Sequence, residues 1–324
     1  MEPFAHFNAE TIDDAVLLLR RYGDRAHVIA GGTDLIGKMK DRILPTYPEA
    51  LVNIKTIPSL GDIEIRNGMA RIGPLCTLEE IAKSRIVEER WPALAQAAAR
   101  AASPHLREMG TIGGNICQDI RCWYYRHPDN RFPCLRKGGG KCYAIDGDNR
   151  FHSLFGGSVE QGCYAVHPSD AAPALVALDA RVKTTKREVP IEDFFRVSVQ
   201  QTTILDADEI VTEIQLPLPT EGTKSAFGKF ALRTSIDFPL VNCAAAVALS
   251  QGKAIAARIC LNAVYVRPYR PVASEEAILG KPLTGENIER AADAAVSCAK
   301  PLGRNRYMVQ IARTMVKRAL LACR

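Results

Sequence analysis

The chain has 324 residues, 47% of them hydrophobic and 24% charged, with a formal net charge of +6 and ten cysteines. That length predicts two or three domains rather than one core, and the charge is ordinary surface charge, so no nucleic-acid partner is expected. No apolar run approaches the roughly 20 residues of a membrane helix, and the start Met-Glu-Pro-Phe-Ala-His-Phe lacks the apolar stretch of a signal peptide. A cytoplasmic protein without a membrane partner is expected, and in that compartment clustered cysteines bind metal or do chemistry rather than form disulfides.

Thr11-Ile-Asp-Asp14 has capping-box form, and apolar residues at helical spacing predict a helix to about Tyr22 that Gly23 ends. Residues 27–30 read as a buried strand leading into Gly31-Gly32-Thr33-Asp34, and 51–54 as a second strand of the same small sheet. Alternation over 62–66 and 70–73 around Asn67-Gly68 predicts a hairpin with a type I′ turn. Thr77-Leu-Glu-Glu80 caps another helix, and 91–102 reads as a buried Ala-rich helix stopped by Ser103-Pro104. Residues 117–163 show no clear periodicity, although Tyr124, Tyr125, Phe132, Phe151 and Phe155 argue against disorder. Regular structure resumes with Ser169-Asp170 as an N-cap for a helix over 171–178, then strands over 181–184 and 209–216. Pro217 to Gly222 reads as a linker. Strands over 226–232, 241–249 and 254–264, then helices over 272–279, 286–299 and 304–322, predict a separate α+β domain with its helices on one face of an antiparallel sheet.

The first Gly-Gly turn allows positive φ and close approach of a ligand to the main chain, and amides left free there can bind a pyrophosphate. Thr33 adds a hydroxyl, and Asp34 offers an acceptor for a ribitol or ribose hydroxyl. Gly110-Thr-Ile-Gly-Gly-Asn115 repeats the chemistry. One such turn alone reads as a plain tight turn; two point to a dinucleotide, and without G-x-G-x-x-G or a Walker lysine NAD and ATP lose ground.

Directly after the second loop come five of the ten cysteines, Cys117, Cys122, Cys134, Cys142 and Cys163. Thiolate is the soft ligand that iron–sulfur and zinc centres select. Cys122, Cys134, Cys142 and Cys163 are separated by 11, 7 and 20 residues, with no Cys-x-x-Cys in the chain. Structural zinc is therefore disfavoured without being excluded, and spacing alone predicts a four-cysteine metal site of open identity. The basic residues of the segment either balance the negative charge of a thiolate-bound cluster, the preferred reading, or serve a zinc module that binds nucleic acid. The six histidines (6, 27, 105, 127, 152 and 167) show no metal spacing, no catalytic constellation is found, and Lys229 and Arg233 face either a flavin edge or a surface carboxylate.

Ala30-Gly-Gly-Thr-Asp-Leu35 together with Thr111-Ile-Gly-Gly-Asn115 resembles the FAD-binding medium subunit of the molybdenum hydroxylases, the family of xanthine and CO dehydrogenase. The resemblance spans nearly the whole chain. It implies an α+β fold: a two-subdomain FAD-binding domain of the PCMH type over 1–217 (subdomains about 1–56 and 57–217), then a C-terminal domain of CO dehydrogenase flavoprotein type over 218–324. It also implies that Ile29, Ala30, Gly31, Gly32, Thr33, Asp34 and Leu35 flank the FAD diphosphate on one side, and Thr111, Gly113, Gly114 and Asn115 on the other. Asp170 falls where the family has an aspartate near FAD, Val211 where an apolar residue packs on the isoalloxazine, and Lys229 where a lysine lies beside the flavin.

The cysteine-bearing insert, about 118–162, departs from most of the family. It resembles a subgroup with an extra [4Fe-4S] cluster: 4-hydroxybenzoyl-CoA reductase and certain bacterial aldehyde oxidoreductases. Cys122, Cys134, Cys142 and Cys163 match that ligand pattern, and Cys117 is left outside it. The run Arg121-Cys-Trp-Tyr-Tyr-Arg126 looks closest to the 4-hydroxybenzoyl-CoA reductase β subunit. The resemblance implies an electron-transfer subunit with FAD and one [4Fe-4S] cluster and no catalytic residue of its own. Its partners would be a large molybdenum-cofactor subunit, a small subunit with two [2Fe-2S] clusters and ferredoxin as donor, in a dimer of heterotrimers. A medium subunit of an aldehyde or xanthine oxidoreductase is the alternative.

Overall fold

A computed structural model describes residues 1–160 and 162–324. Its strands form three sheets, one after another along the chain. In the first, β1 (Ala5–Asn8), β2 (Ala26–Ile29) and β3 (Ala50–Asn53) pair in parallel in the order β1-β3-β2. β3, between its two neighbours, is buried along its whole length, as a central parallel strand must be. The helix Ile12–Tyr22 covers this sheet. Thr11 accepts from the Asp14 amide at its start, and Gly23 at φ 56° ends it. Four-residue β1 has too few positions for its alternation to register as a strand signal.

The second sheet runs β4 (Ile63–Arg66), β5 (Met69–Ile72), β8 (Val211–Pro217), β6 (Arg181–Thr184) and β7 (Glu188–Pro190), antiparallel throughout. Asn67 and Gly68 both have positive φ, 53° and 73°, as the expected type I′ hairpin requires. Helices Leu78–Lys83, Pro92–Ala99 and Ala171–Ala177 supply most of the adjoining core with Trp91. The expected long helix over 91–102 stops at Ala99, and Ser103-Pro104 begins another, Pro104–Met109, in which Ser103 accepts from the Leu106 amide. Proline is a good first helical residue as well as a terminator, and a serine cap before it favours the first role. Ser169, rather than Asp170, caps the helix Ala171–Ala177, accepting from Ala172 N at 2.9 Å.

The third sheet is β9 (Thr223–Phe230), β10 (Val241–Ser250) and β11 (Lys253–Asn262), antiparallel in the order β11-β10-β9. Helices Gly285–Val296 and Tyr307–Ala322 pack on it. The insert folds into turns and two short 3-10 pieces, Pro128–Asn130 and Leu135–Lys137, around a small core of its own. No described helix is long and apolar enough to cross a membrane.

Trp91 is 1% exposed and its indole donates to Pro217 O at 2.9 Å, pinning the end of β8 to the helical layer. Trp91→Ala is expected to cost roughly 3–5 kcal/mol in urea unfolding, the range for deleting a buried aromatic.

Candidate flavin cleft and cysteine pocket

A cleft of about 310 Å³ lies where the first sheet, the turn at 110–118, the start of the helix Ala171–Ala177 and the β9–β10 loop meet. Its volume is at the lower end of the range for small-molecule sites. Ile29, Ala30, Gly31, Gly32, Thr33, Asp34 and Leu35 line it, as do Thr111, Gly114, Asn115 and Asp170. Both Gly-Gly loops thus reach one cavity, floored by Leu78, Ala101, Ala102 and Leu106.

The two loops differ in what they can donate. Among the described residues, the amides of Gly31, Gly32, Thr33, Asp34 and Leu35 have no acceptor within the chain. In the second loop, Ile112 N, Gly113 N and Asn115 N donate to Cys76 O, Pro74 O and Thr111 O, and Gly114 N donates to the Thr111 hydroxyl. Anion binding by main-chain amides therefore falls to the first loop, and the second braces it. A Cβ on Gly31 would stand 2.0 Å from Met109 O, so only glycine lets the two loops touch. Gly32 sits at φ +69°, where an L side chain is strained. Gly113 is a correction to its expected place on the diphosphate. It does not line the cleft, its amide is used, and a Cβ there would collide with Pro74.

Asp34 is likewise committed within the chain. Its carboxylate pairs with Arg126 at 2.7 Å and accepts from Asp119 N at 3.0 Å, with Lys38 at 3.6 Å. Arg126 also donates to Ile120 O and Asp119 O, both at 2.8 Å. Asp119 meets Lys38 at 3.3 Å and the Tyr125 hydroxyl at 2.6 Å. Burial would push the Asp119 carboxyl up, but Lys38, Arg126 and Tyr125 together bring it down to about 2. This network joins the first Gly-Gly loop to the insert.

Asp170 and Lys229 form a buried pair at 2.7 Å, their side chains 6% and 5% exposed. Lys229 also donates to Arg100 O at 2.9 Å, and Asn242 donates to Asp170 at 2.8 Å. Burial outweighs Lys229 and Asn242 and leaves the Asp170 carboxyl above its usual value. Lys229 reaches the cleft only through Asp170. Val211 does not reach it: it is 5% exposed and packs into the core of the second sheet. An irregular register between Lys183 and Thr184, where Val211 pairs, sets which face that residue takes, and a linear pattern does not reveal it. Sequence reasoning missed His27, Lys38, Gln118, Ile236, Asp237 and Phe238 on the cleft wall. Of these only Lys38 had a signal, lying four residues after Asp34 on a helix.

The cysteines separate into two groups. Cys117 lines the cleft and packs on the core of the second sheet, whereas Cys122, Cys134, Cys142 and Cys163 are buried in the insert. Burial is the main influence on Cys122, raised to about 12, and it also raises Cys134 and Cys142. Amides of Tyr125 and Tyr124 at Cys122, of Arg136 and Lys137 at Cys134, and of Tyr164 and Ala144 at Cys142 oppose it. The charge on Cys163 works against ionising each of the other three, so all four lie within electrostatic reach. Among the described residues, no three His, Cys, Asp or Glu converge tightly enough to hold one metal ion.

Residues 2–219 match the FAD binding domain in molybdopterin dehydrogenase. The chain belongs to that family. Residues 226–323 of the flavoprotein match the CO dehydrogenase flavoprotein C-terminal domain. It is 29% identical to the carbon monoxide dehydrogenase medium chain of Hydrogenophaga pseudoflava, over 98% of this chain and 96% of that one. It is also 29% identical to the aldehyde oxidoreductase FAD-binding subunit of Escherichia coli, over 100% and 99%. The structure of the Hydrogenophaga enzyme lacking the Mo-pyranopterin moiety superposes with a TM-score of 0.78 at 29% identity, covering 99% of this chain and 97% of that chain. The flavoprotein is therefore an FAD-binding oxidoreductase component with the CO dehydrogenase flavoprotein-like fold, and a zinc-dependent nucleic-acid binder without flavin is set aside.

Arg126→Ala is expected to weaken FAD retention about tenfold or more on gel filtration or in fluorescence titration, since one charge-assisted bond is worth about 1.5–3 kcal/mol. Asp119 has a folded pKa below its usual 3.8. Its contribution to stability is thus complete above that value and lost as pH falls through about 2. Asp119→Asn is expected to flatten the decline in melting temperature between about pH 4 and 2 and to remove on the order of 2 kcal/mol at neutral pH.

Proposed function

We propose that the chain is the electron-transfer subunit of a molybdenum hydroxylase-type complex, carrying FAD in the cleft and a [4Fe-4S] cluster on Cys122, Cys134, Cys142 and Cys163. The observation that carries the flavin site is the row of free amides from Gly31 to Leu35 at the mouth of an apolar cleft. FAD bound there supplies one- and two-electron chemistry. Gly31 to Leu35 hold its diphosphate, the second loop fixes their position, and the Asp170–Lys229 pair places a fixed dipole in the wall.

The cluster reading rests on charge. Arg136 is 8% exposed and forms no ion pair among the described residues, and its terminal nitrogen Nη2 and Lys137 Nζ lack partners. Asp119 is a carboxylate within electrostatic reach of both, and it is already paired with Lys38; buried cationic nitrogens short of counter-charge are costly. Four neutral thiols do not balance them; four thiolates on a metal centre do, with the nearby amides favouring the charged sulfurs. Among the described residues no three ligands meet at one point, which counts against a single zinc ion.

For the complex, an aldehyde or xanthine oxidoreductase is the reading we favour. The cluster-bearing subgroup that the insert resembles includes bacterial aldehyde oxidoreductases, and an aldehyde oxidoreductase FAD-binding subunit aligns along the whole chain. A 4-hydroxybenzoyl-CoA reductase, with ferredoxin delivering electrons, is the second reading, favoured by the run from Arg121 to Arg126. Either way the partners are a large molybdenum-cofactor subunit and a small iron–sulfur subunit, the substrate binds elsewhere, and the complex is a cytoplasmic dimer of heterotrimers.

Protein isolated anaerobically should show flavin bands over a broad brown shoulder. Cys134→Ser should lose about four irons per chain, the content of one such cluster, while keeping most of its FAD. Iron content equal to wild type ends the ligand assignment. Bleaching of the flavin in the assembled complex by aromatic aldehydes or xanthine supports the favoured reading. Reoxidation of the reduced complex by 4-hydroxybenzoyl-CoA, without such bleaching, supports the second.

A further inference from the structure

Two buried side chains in the insert point at cysteine sulfurs and are not themselves ligands. Arg136 Nε donates to Cys163 Sγ at 3.3 Å. Arg136 belongs to the 3-10 turn Leu135–Lys137 that follows Cys134, so it reaches from one cysteine's turn to another cysteine. His152 Nε2 lies 3.3 Å from Cys122 Sγ, and the ring is 1% exposed. A thiolate at Cys122 can only accept, so opposite a ligand sulfur the ring carries its proton on Nε2. The His152 main chain is fixed from both sides, its amide donating to Asn149 O at 3.2 Å and its carbonyl accepting from Asn305 at 2.9 Å.

We propose that Arg136 and His152 are positioning residues that raise the reduction potential of the cluster by donating hydrogen bonds to two of its four thiolate ligands. This rests on the cluster reading above. A donor at a ligand sulfur draws electron density away from the iron and stabilises the more negative, reduced state, and hydrogen bonds to the sulfurs are among the levers that set such potentials. Arg136 adds a full positive charge, so its effect exceeds that of His152. Cys134 and Cys142 have main-chain amides but no side-chain donor among the described residues, so the two remaining sulfurs, Cys163 and Cys122, carry the adjustable part.

The test is an EPR-monitored redox titration of the assembled complex, with iron and acid-labile sulfide measured on the same samples. Arg136→Gln and His152→Leu should keep full iron content and move the cluster midpoint to more negative potential, Arg136→Gln further. Arg136→Lys should recover part of the shift because charge is kept, and His152→Gln should stay near wild type because a donor is kept. The flavin midpoints should not move. Loaded Arg136→Gln and His152→Leu proteins with the wild-type midpoint, or with a positive shift, overturn the proposal. Loss of iron from both Arg136→Gln and Arg136→Lys overturns it too, because it assigns Arg136 to assembly. Wild-type protein without iron and acid-labile sulfide instead overturns the cluster reading itself.

Discussion

The ion pair between Asp34 and Arg126 is the contact on which the arrangement of both pockets depends. Asp34 closes the loop that offers free amides to a diphosphate, and Arg126 lies four residues beyond Cys122 in the insert. Burial works against the Arg126 charge, yet Asp34 and Asp119 raise its pKa above the usual value, so the pair stays ionised. Behind the same loop, Met109 O leaves no room for anything but hydrogen at Gly31. The loop is therefore clamped from two sides, by packing and by charge, and its amides are preorganised before any ligand arrives.

Two glycine loops of similar composition have come to do different work. The loop at Gly31 spends none of its amides on the fold, whereas the loop at Thr111 spends nearly all of them. What separates them is what surrounds them: Ile112 N and Gly113 N meet the Cys76 and Pro74 carbonyls of the preceding segment, and Gly114 N and Asn115 N bond to Thr111 at the start of its own short helix. Asp34 stands at the N-cap of the next helix without capping it, because its carboxylate faces Arg126. The same loop chemistry supports ligand binding or bracing according to whether carbonyls of the chain stand opposite the amides.

Local rules read well wherever the relevant partner lies within a few residues. The Asn67-Gly68 turn, the caps at Thr11 and Thr77 and the glycine loops fall in this class. The gathering of thiols was legible as well, since clustering in a segment without periodicity has few other physical causes. Features fixed by distant partners were not. Val211 takes its face from a sheet irregularity opposite Thr184, Asp170 turns from capping to Lys229, 59 residues on, and Ile236 and Phe238 enter the cleft from a loop with no pattern of its own. Arg126 read only as one of several basic residues, because its partner lies far back along the chain.

The C-terminal domain also holds the cysteine pocket shut. Asn305 bonds the carbonyls of both His152 and Ser153, Leu154 N donates to Val264 O, and Val266 belongs to the insert's own small core. A nascent chain that has produced every cysteine of the insert still lacks the lid that buries them. Full burial of these four sulfurs is thus completed only when the C-terminal domain docks on the insert.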